Sequence, residues 1–147
     1  MTDPDQLAAQ VAEHLYKPDT AVASLGIRVV EVAPDYARLT MKIRRDMLNG
    51  HSICHGGMIF TLADACFAYA ANSANVMTVS QSSNITFVAQ AAEGDVLTAE
   101  ARTTSAPTGR TGLYDVIVRN QQGEEIAFVR CNSYRLKRKV VEGLPTG

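Results

Sequence analysis

NGHSICHGGMIFTLADACFAYAANSAN, residues 49–75, is the stretch whose reading decides the fold. It opens with a polar loop carrying His51 and His55, passes through Gly56 and Gly57, and becomes an apolar run broken by one acid, Asp64. Met58, Ile59, Phe60, Leu62, Cys66, Phe67 and Tyr69 fall on every side of a helical wheel. The spacing therefore predicts a helix that begins near Gly56, fades over 72–75 and is buried on most of its circumference. With Asp64 inside it, the run falls short of the roughly 20 apolar residues that a bilayer requires, so it reads as a core helix and implies no membrane. An ionised carboxylate in such a helix is costly unless it is solvated, hydrogen-bonded or functional.

Working outward, the 147 residues suffice for one domain, 1–147, with a core at about 20–136 and a basic, frayed tail at 137–147. Fourteen Lys and Arg against fifteen Asp and Glu, a net charge of −1, give no electrostatic reason to expect nucleic acid. Cys54, Cys66 and Cys131 do not pair off evenly and form no CxxC, which fits a reducing compartment and buried fillers. The N-terminal MTDPDQLAAQVAEH is acidic where a signal peptide is basic, and no apolar segment follows. The expected location is cytoplasmic.

Leu7, Val11, Leu15 and Tyr16 have helical spacing behind an Asp-Pro start, which predicts a short helix over 5–16. Strands are expected at 25–32 and 36–43, the second with Ala37, Leu39, Met41 and Ile43 inward. Another is expected at 76–88, where Ser80, Gln81, Ser82, Ser83 and Asn84 are too polar for an ordinary core strand. They mark an edge or subunit seam, or hydroxyls lining a wet cleft, with Ser82 a candidate substrate contact. Further strands follow at 96–102, 111–120 and 125–136, with a loop at 103–110. The fold class is α+β: one long central helix, a five- to six-stranded, mostly antiparallel sheet and a short N-terminal helix. One sheet covers one side of a helix, so the remaining apolar surface calls for a second copy and an obligate dimer, with the two helices near the seam.

GxSxG, GKS/GKT and GxGxxG are all missing, leaving serine hydrolases and the familiar phosphate loops without support. His51 and His55 precede the helix and have no evident third and fourth ligand, so no metal is expected. What remains is a carboxylate on a helix whose first N–H groups, at Gly56 and Gly57, are free donors at the positive end of the helix dipole. Backbone donors of this kind form an oxyanion site. Asp64 lies eight residues past Gly56, about 12 Å along the axis, too far for both to act on one carbonyl within a single chain. An antiparallel partner helix would bring its own Asp64 back beside Gly56. Asp64 then serves as base or nucleophile, with Asn49 and His55 orienting water or carbonyl. Other readings stand beside these: Asp64 paired with an arginine, His55 shaping the helix entry, Asn49 as a turn residue.

The segment LNGHSICHGGMIFTLADACFAYAANS, residues 48–73, resembles the signature of the hotdog-fold acyl-CoA thioesterases, in their phenylacetic-acid-degradation (PaaI-type) branch. The resemblance extends to Thr-Gly-Leu-Tyr-Asp at 111–115 and covers most of 20–136. It implies hydrolysis of a phenylacetyl-CoA-like thioester without a cofactor. In that reading Asp64 is the catalytic carboxylate, Gly56 the donor to the thioester carbonyl, and Asn49 and His55 the supporting polar groups. It also implies sites at a homodimer interface and dimers that pair into tetramers. Gly57, Phe60, Arg110 and Thr111 join Ser82 as expected substrate contacts, Phe60 in an aryl pocket and Arg110 toward phosphate. Many relatives carry Arg-Pro where this chain has Val88-Ala89-Gln90, which puts a phosphate contact from that turn in doubt. The alternatives are a hotdog enoyl-CoA hydratase or dehydratase, and a non-catalytic acyl-CoA-binding or sensing module.

Overall fold

The computed structural model describes residues 2–104 and 109–147, so part of the loop expected over 103–110 lies outside the described residues. Helix α1 (Pro4–Tyr16) starts with Pro4 in its first turn and Asp3 as cap, the Asp3 carboxylate accepting from the Asp5 N–H at 3.3 Å. A five-residue helix α2 (Thr20–Ser24), capped by Asp19, was not expected from the sequence. Because α2 takes up this segment, strand β1 (Arg28–Ala33) begins later than the expected residue 25.

The other elements are β2 (Tyr36–Lys42), the long helix α3 (Gly56–Ala71), β3 (Thr78–Phe87), β4 (Val96–Thr103), β5 (Thr111–Arg119) and β6 (Glu125–Arg135). The strands form one six-stranded antiparallel sheet in the order β1-β2-β4-β5-β6-β3, so β1 and β3 are its edges. Alternation places Ala37, Leu39 and Met41 on the helix side of β2, with Leu97, Ala99 and Ala101 beside them on β4, all buried. The small alanines let α3 approach the sheet closely. Fully buried Cys66 reaches the carbonyls of Ala37 and Ala99, at 3.3 and 3.4 Å.

Both ends of α3 are fixed. At its C-terminus the Asn72 amide donates to the carbonyls of Ala68 (2.8 Å) and Thr78 (3.0 Å) and accepts from the Thr78 N–H (2.8 Å). One buried side chain thus caps the helix and starts β3. At the N-terminus, Cys54 N–H donates to the carbonyl of Ala91 and His55 N–H to that of Met47, each at 2.8 Å. Helix α3 and edge strand β3 consequently run side by side in opposite directions.

The C-terminal segment corrects the expectation of a frayed tail. Asn75, fully buried with φ 62°, donates to the carbonyls of Val141 (2.9 Å), Leu144 (3.1 Å) and Pro145 (3.0 Å) and accepts from the Val141 N–H (2.8 Å). Asparagine tolerates the left-handed conformation, and its amide replaces bonds that the tail would otherwise make to water. Asn75→Gly keeps that conformation and removes the bonds. Its expected cost is about 1–3 kcal/mol, seen as a lower unfolding midpoint and faster amide exchange over 141–145.

Candidate active site

The loop before α3 is built by Asn49. Its side-chain oxygen accepts from the N–H groups of His51 (2.9 Å) and Ile53 (3.4 Å), while its own N–H donates to the Ile53 carbonyl (2.8 Å). This is the turn role considered above, and it leaves the Asn49 NH2 unengaged among the described residues. His55 is the N-cap of α3, yet its side chain makes no cap bond and stands exposed. The N–H groups of Gly56 and Gly57 therefore point outward with no acceptor among the described residues, two donors at the positive end of a sixteen-residue helix.

Gly56 has a steric reason to be glycine. A Cβ there would stand 2.8 Å from the ring tip of Phe87, the last residue of β3, whereas a Cβ at Gly57 would meet nothing within 4 Å. Phe87, absent from the sequence-derived list, thus forms a half-exposed aromatic wall beside the free donors.

Asp64 follows Gly57 by seven residues, so the two share a face, with Phe60 and Thr61 between them. The Asp64 carboxylate is half-buried and has no hydrogen bond or ion pair with any described residue, so no described arginine of its own chain pairs with it. Burial raises its pKa above the ordinary carboxylate value. Burial pushes up the thiol of Cys131 on β6, and the Asp64 charge adds a smaller push in the same direction. Burial raises the Cys54 and Cys66 thiols to about 11 and 12, so neither is a thiolate nucleophile at neutral pH.

Ser82 lies on edge strand β3, which fits the edge or seam reading of its polar stretch, but not on the helix side. A bulge between Ser80 and Ser82 inserts Gln81, and register then pairs Ser82 with Asn132, which donates to its hydroxyl at 2.9 Å on the outer face of the sheet. Ser83, opposite Cys131, faces the helix instead, its hydroxyl bonded to the Cys131 thiol and 3.1 Å from that of Ser80. No pattern in Ser-Gln-Ser-Ser marks which residue bulges. Arg110 and Thr111 lie at the other end of the sheet from Gly56, where Thr111 pairs with Tyr134 and the Arg110 guanidinium sits 5.9 Å from the Tyr134 ring centre. Among the described residues no group of three or more His, Cys, Asp or Glu side chains comes together to hold a metal.

The arrangement of one long helix on a six-stranded antiparallel sheet agrees with what known proteins show. The thioesterase superfamily model matches residues 51–127. The chain belongs to the thioesterase superfamily. It is 39% identical over 129 residues to the acyl-coenzyme A thioesterase PaaI of Escherichia coli K12, covering 88% of this chain and 91% of that protein. The solved structure of the E. coli PaaI protein from the phenylacetic acid degradation operon superposes with a TM-score of 0.91 at 36% identity, over 93% of this chain and 99% of that one. The structure of smu.793 from Streptococcus mutans UA159 bound to acetyl CoA has a TM-score of 0.73 at 25% identity, covering 77% and 90%. This thioesterase-superfamily chain is accordingly a thioester hydrolase with the hotdog fold.

Two outcomes follow from the geometry. Gly56→Ala displaces only a ring tip, so the unfolding midpoint moves little while kcat/KM for thioester hydrolysis falls about ten-fold or more, as when an oxyanion donor is obstructed; paired assays in wild-type and Phe87→Leu backgrounds measure how much of that loss the ring causes. Asp64 binds its proton more tightly folded than unfolded, so the charged form costs stability, and this cost grows as pH rises from the ordinary carboxylate value through the raised one. Asp64→Asn is therefore expected to be at least as stable as wild type at pH 7 and to lose that advantage near pH 4, followed by thermal unfolding at both pH values.

Proposed function

We propose that the protein hydrolyses the thioester bond of acyl-CoA substrates of the phenylacetyl-CoA type, an aryl-acyl group on CoA, to the free acid and CoA. The observation that carries the reading is the half-buried, unpaired Asp64 carboxylate on the helix face that begins at the open N–H groups of Gly56 and Gly57. The thioester carbonyl oxygen accepts from those N–H groups, which stabilise the negative charge that develops as the carbonyl carbon is attacked. Asp64 acts as general base, taking a proton from water as the water oxygen bonds to that carbon. Its raised pKa suits proton acceptance better than an ordinary carboxylate does. Collapse of the tetrahedral intermediate breaks the C–S bond, and the CoA sulfur leaves with its electron pair and is protonated. The Asn49 NH2 and the exposed His55 ring, both beside the helix start, orient water and carbonyl.

Seven residues separate Gly57 from Asp64, about 10 Å along the helix, so the base and the donors for one carbonyl come from two chains. Support for a homodimer lies in the open edge of β3 with Val79, Phe87 and Val88 exposed beside it, and in the half-open helix stripe of Thr61, Asp64, Ala65 and Ala68. Two β3 edges meeting across a two-fold axis cover both features and lay the two helices antiparallel. Dimers pairing into tetramers and a cytoplasmic location complete the proposal. Phe87 beside Gly56, with Phe60 one turn along the helix, favours a planar aryl group over a thin aliphatic chain.

Assays of thiol release test the central step. Asp64→Asn is expected to lower kcat by about 10²–10⁴, and an unimpaired variant removes Asp64 from the chemistry. In the wild type, kcat/KM is expected to fall as pH drops through a value above the usual carboxylate range, because the base becomes protonated there. Comparing phenylacetyl-CoA with hexanoyl-CoA checks the acyl preference, which Phe87→Ala is expected to weaken.

A further inference from the structure

A groove of about 510 Å³ runs between α1 and β1, the edge of the sheet opposite to β3. One wall is the α1 face carrying Ala9, Ala12, Glu13 and Tyr16, whose spacing puts them on a single helical stripe. The other wall is the strand from Arg28 to Val32. The two alanines are too short to fill the space between helix and strand, and apolar surface stays uncovered on both walls: Tyr16 is 41% exposed and Val30 50%. The volume lies within the roughly 300–1,000 Å³ of small-molecule sites.

Backbone hydrogen bonds fold the connection between the walls back on itself. Asp19 N–H donates to the Tyr16 carbonyl (3.1 Å), Ala23 N–H to the Asp19 carbonyl (3.1 Å) and Ile27 N–H to the Val22 carbonyl (3.0 Å). The last turn of α1 is thereby brought beside the first residue of β1, and Tyr16 and Arg28 mark one end of the groove. Of the charged side chains in its walls, Glu13 pairs with Lys17 at 3.6 Å and Glu31 with Arg38 at 3.3 Å. The Arg28 guanidinium has no hydrogen bond or ion pair with any described residue. The Asp19 carboxylate close by is also engaged, accepting from the Val22 N–H (3.2 Å) and the Tyr69 hydroxyl (3.3 Å). The groove thus combines an apolar body with one uncompensated positive charge, at the end where the Tyr16 hydroxyl lies.

We infer that this groove binds an amphipathic carboxylic acid, with its chain between α1 and β1 and its carboxylate on Arg28. A neutral apolar ligand leaves Arg28 unanswered, and a multiply charged anion gains nothing from the alanine and valine walls. An extended peptide added to the sheet edge is the competing occupant by shape. Strand β1 suits it poorly: it is six residues long, and its register with β2 slips between Val29 and Glu31, a bulge that bends the edge away from regular pairing. From Arg28 to Val32 the strand spans about 13 Å at ~3.3 Å per residue, room for a medium-length acyl chain. Five strand spacings of ~4.8 Å, about 24 Å along the sheet, separate β1 from β3. Occupation of the groove is therefore independent of the donors at Gly56, and binding is measured without turnover, apart from the thioesterase reading.

Octanoate and octanol, the same chain with and without the charge, are titrated into the full chain and followed by amide chemical shifts. Octanoate is expected to move the signals of 9–16 and 28–32. Arg28→Gln raises its Kd about ten-fold or more and leaves the octanol affinity unchanged. Ala9→Leu, which fills the groove from an exposed helix position, weakens both ligands. Raised salt weakens octanoate alone, and unfolding midpoints report that the variants fold. Three results overturn the inference: octanoate shifts that are absent or confined to α3 and β3, an Arg28→Gln variant that binds octanoate as wild type does, or shifts along β1 produced by an acetylated Thr-Val-Glu-Val peptide and not by octanoate.

Discussion

The structure depends on the antiparallel clamp between α3 and β3. A helix apolar on nearly all sides cannot be satisfied by one sheet, and here it lies with its middle over the small inner residues of β2 and β4 and one flank along the outermost strand. The Asn72 amide fixes that flank at one end by bonding both the last turn of the helix and the first residue of β3. The contact of the Phe87 ring with Gly56 marks the other end. The Asp64 carboxylate in the middle of α3 acts on the Cys131 thiol of β6, the strand beside β3, and no described residue neutralises it.

That placement explains why Asp64 remains chemically available. A buried acid with an arginine partner is a structural group: its pKa falls and its proton is no longer exchangeable near neutrality. Half-burial without a partner does the reverse, raising the pKa while leaving solvent access. The same lack of a partner is a cost to the isolated chain, and groups that keep such a cost are found where chemistry needs them. The free N–H groups of Gly56 and Gly57 are the complementary feature, a positive end without its anion.

Much of this was legible in the residues. The long helix, its start at Gly56 and the inward faces of β2 and β4 follow from periodicity, because burial on one face of a strand or all round a helix leaves an unmistakable spacing in apolar residues. What stayed illegible depends on polar groups whose partners are distant in sequence. Asn75 looks like the fading end of a helix until Val141, Leu144 and Pro145 are placed around it. Ser82 and Ser83 are chemically identical, and only the bulge, set by pairing with β6, decides which one shares the inner face with Cys131. Phe87 reads as another apolar strand residue, and its role emerges only from what a Cβ at Gly56 would strike. Helix α2 was missed for a different reason: five residues are too few to show a period, and the Asp19 cap was its one local signal.

The division of polar and charged groups along the clamp has a further physical consequence. Electrostatic attraction of a substrate acts over about a Debye length, ~8–10 Å at physiological salt, whereas oxyanion stabilisation acts only at hydrogen-bond distance. Cations crowded beside Asp64 would lower its pKa. Among the described residues no cation pairs with Asp64, and Arg110, Arg135 and Arg138 lie at the far end of the edge strand, joined there by backbone hydrogen bonds. The raised pKa of Asp64 and those cations are thus compatible because the antiparallel clamp keeps them apart. A shorter β3 would bring those cations closer to the carboxylate and oppose the upward pKa shift that burial provides.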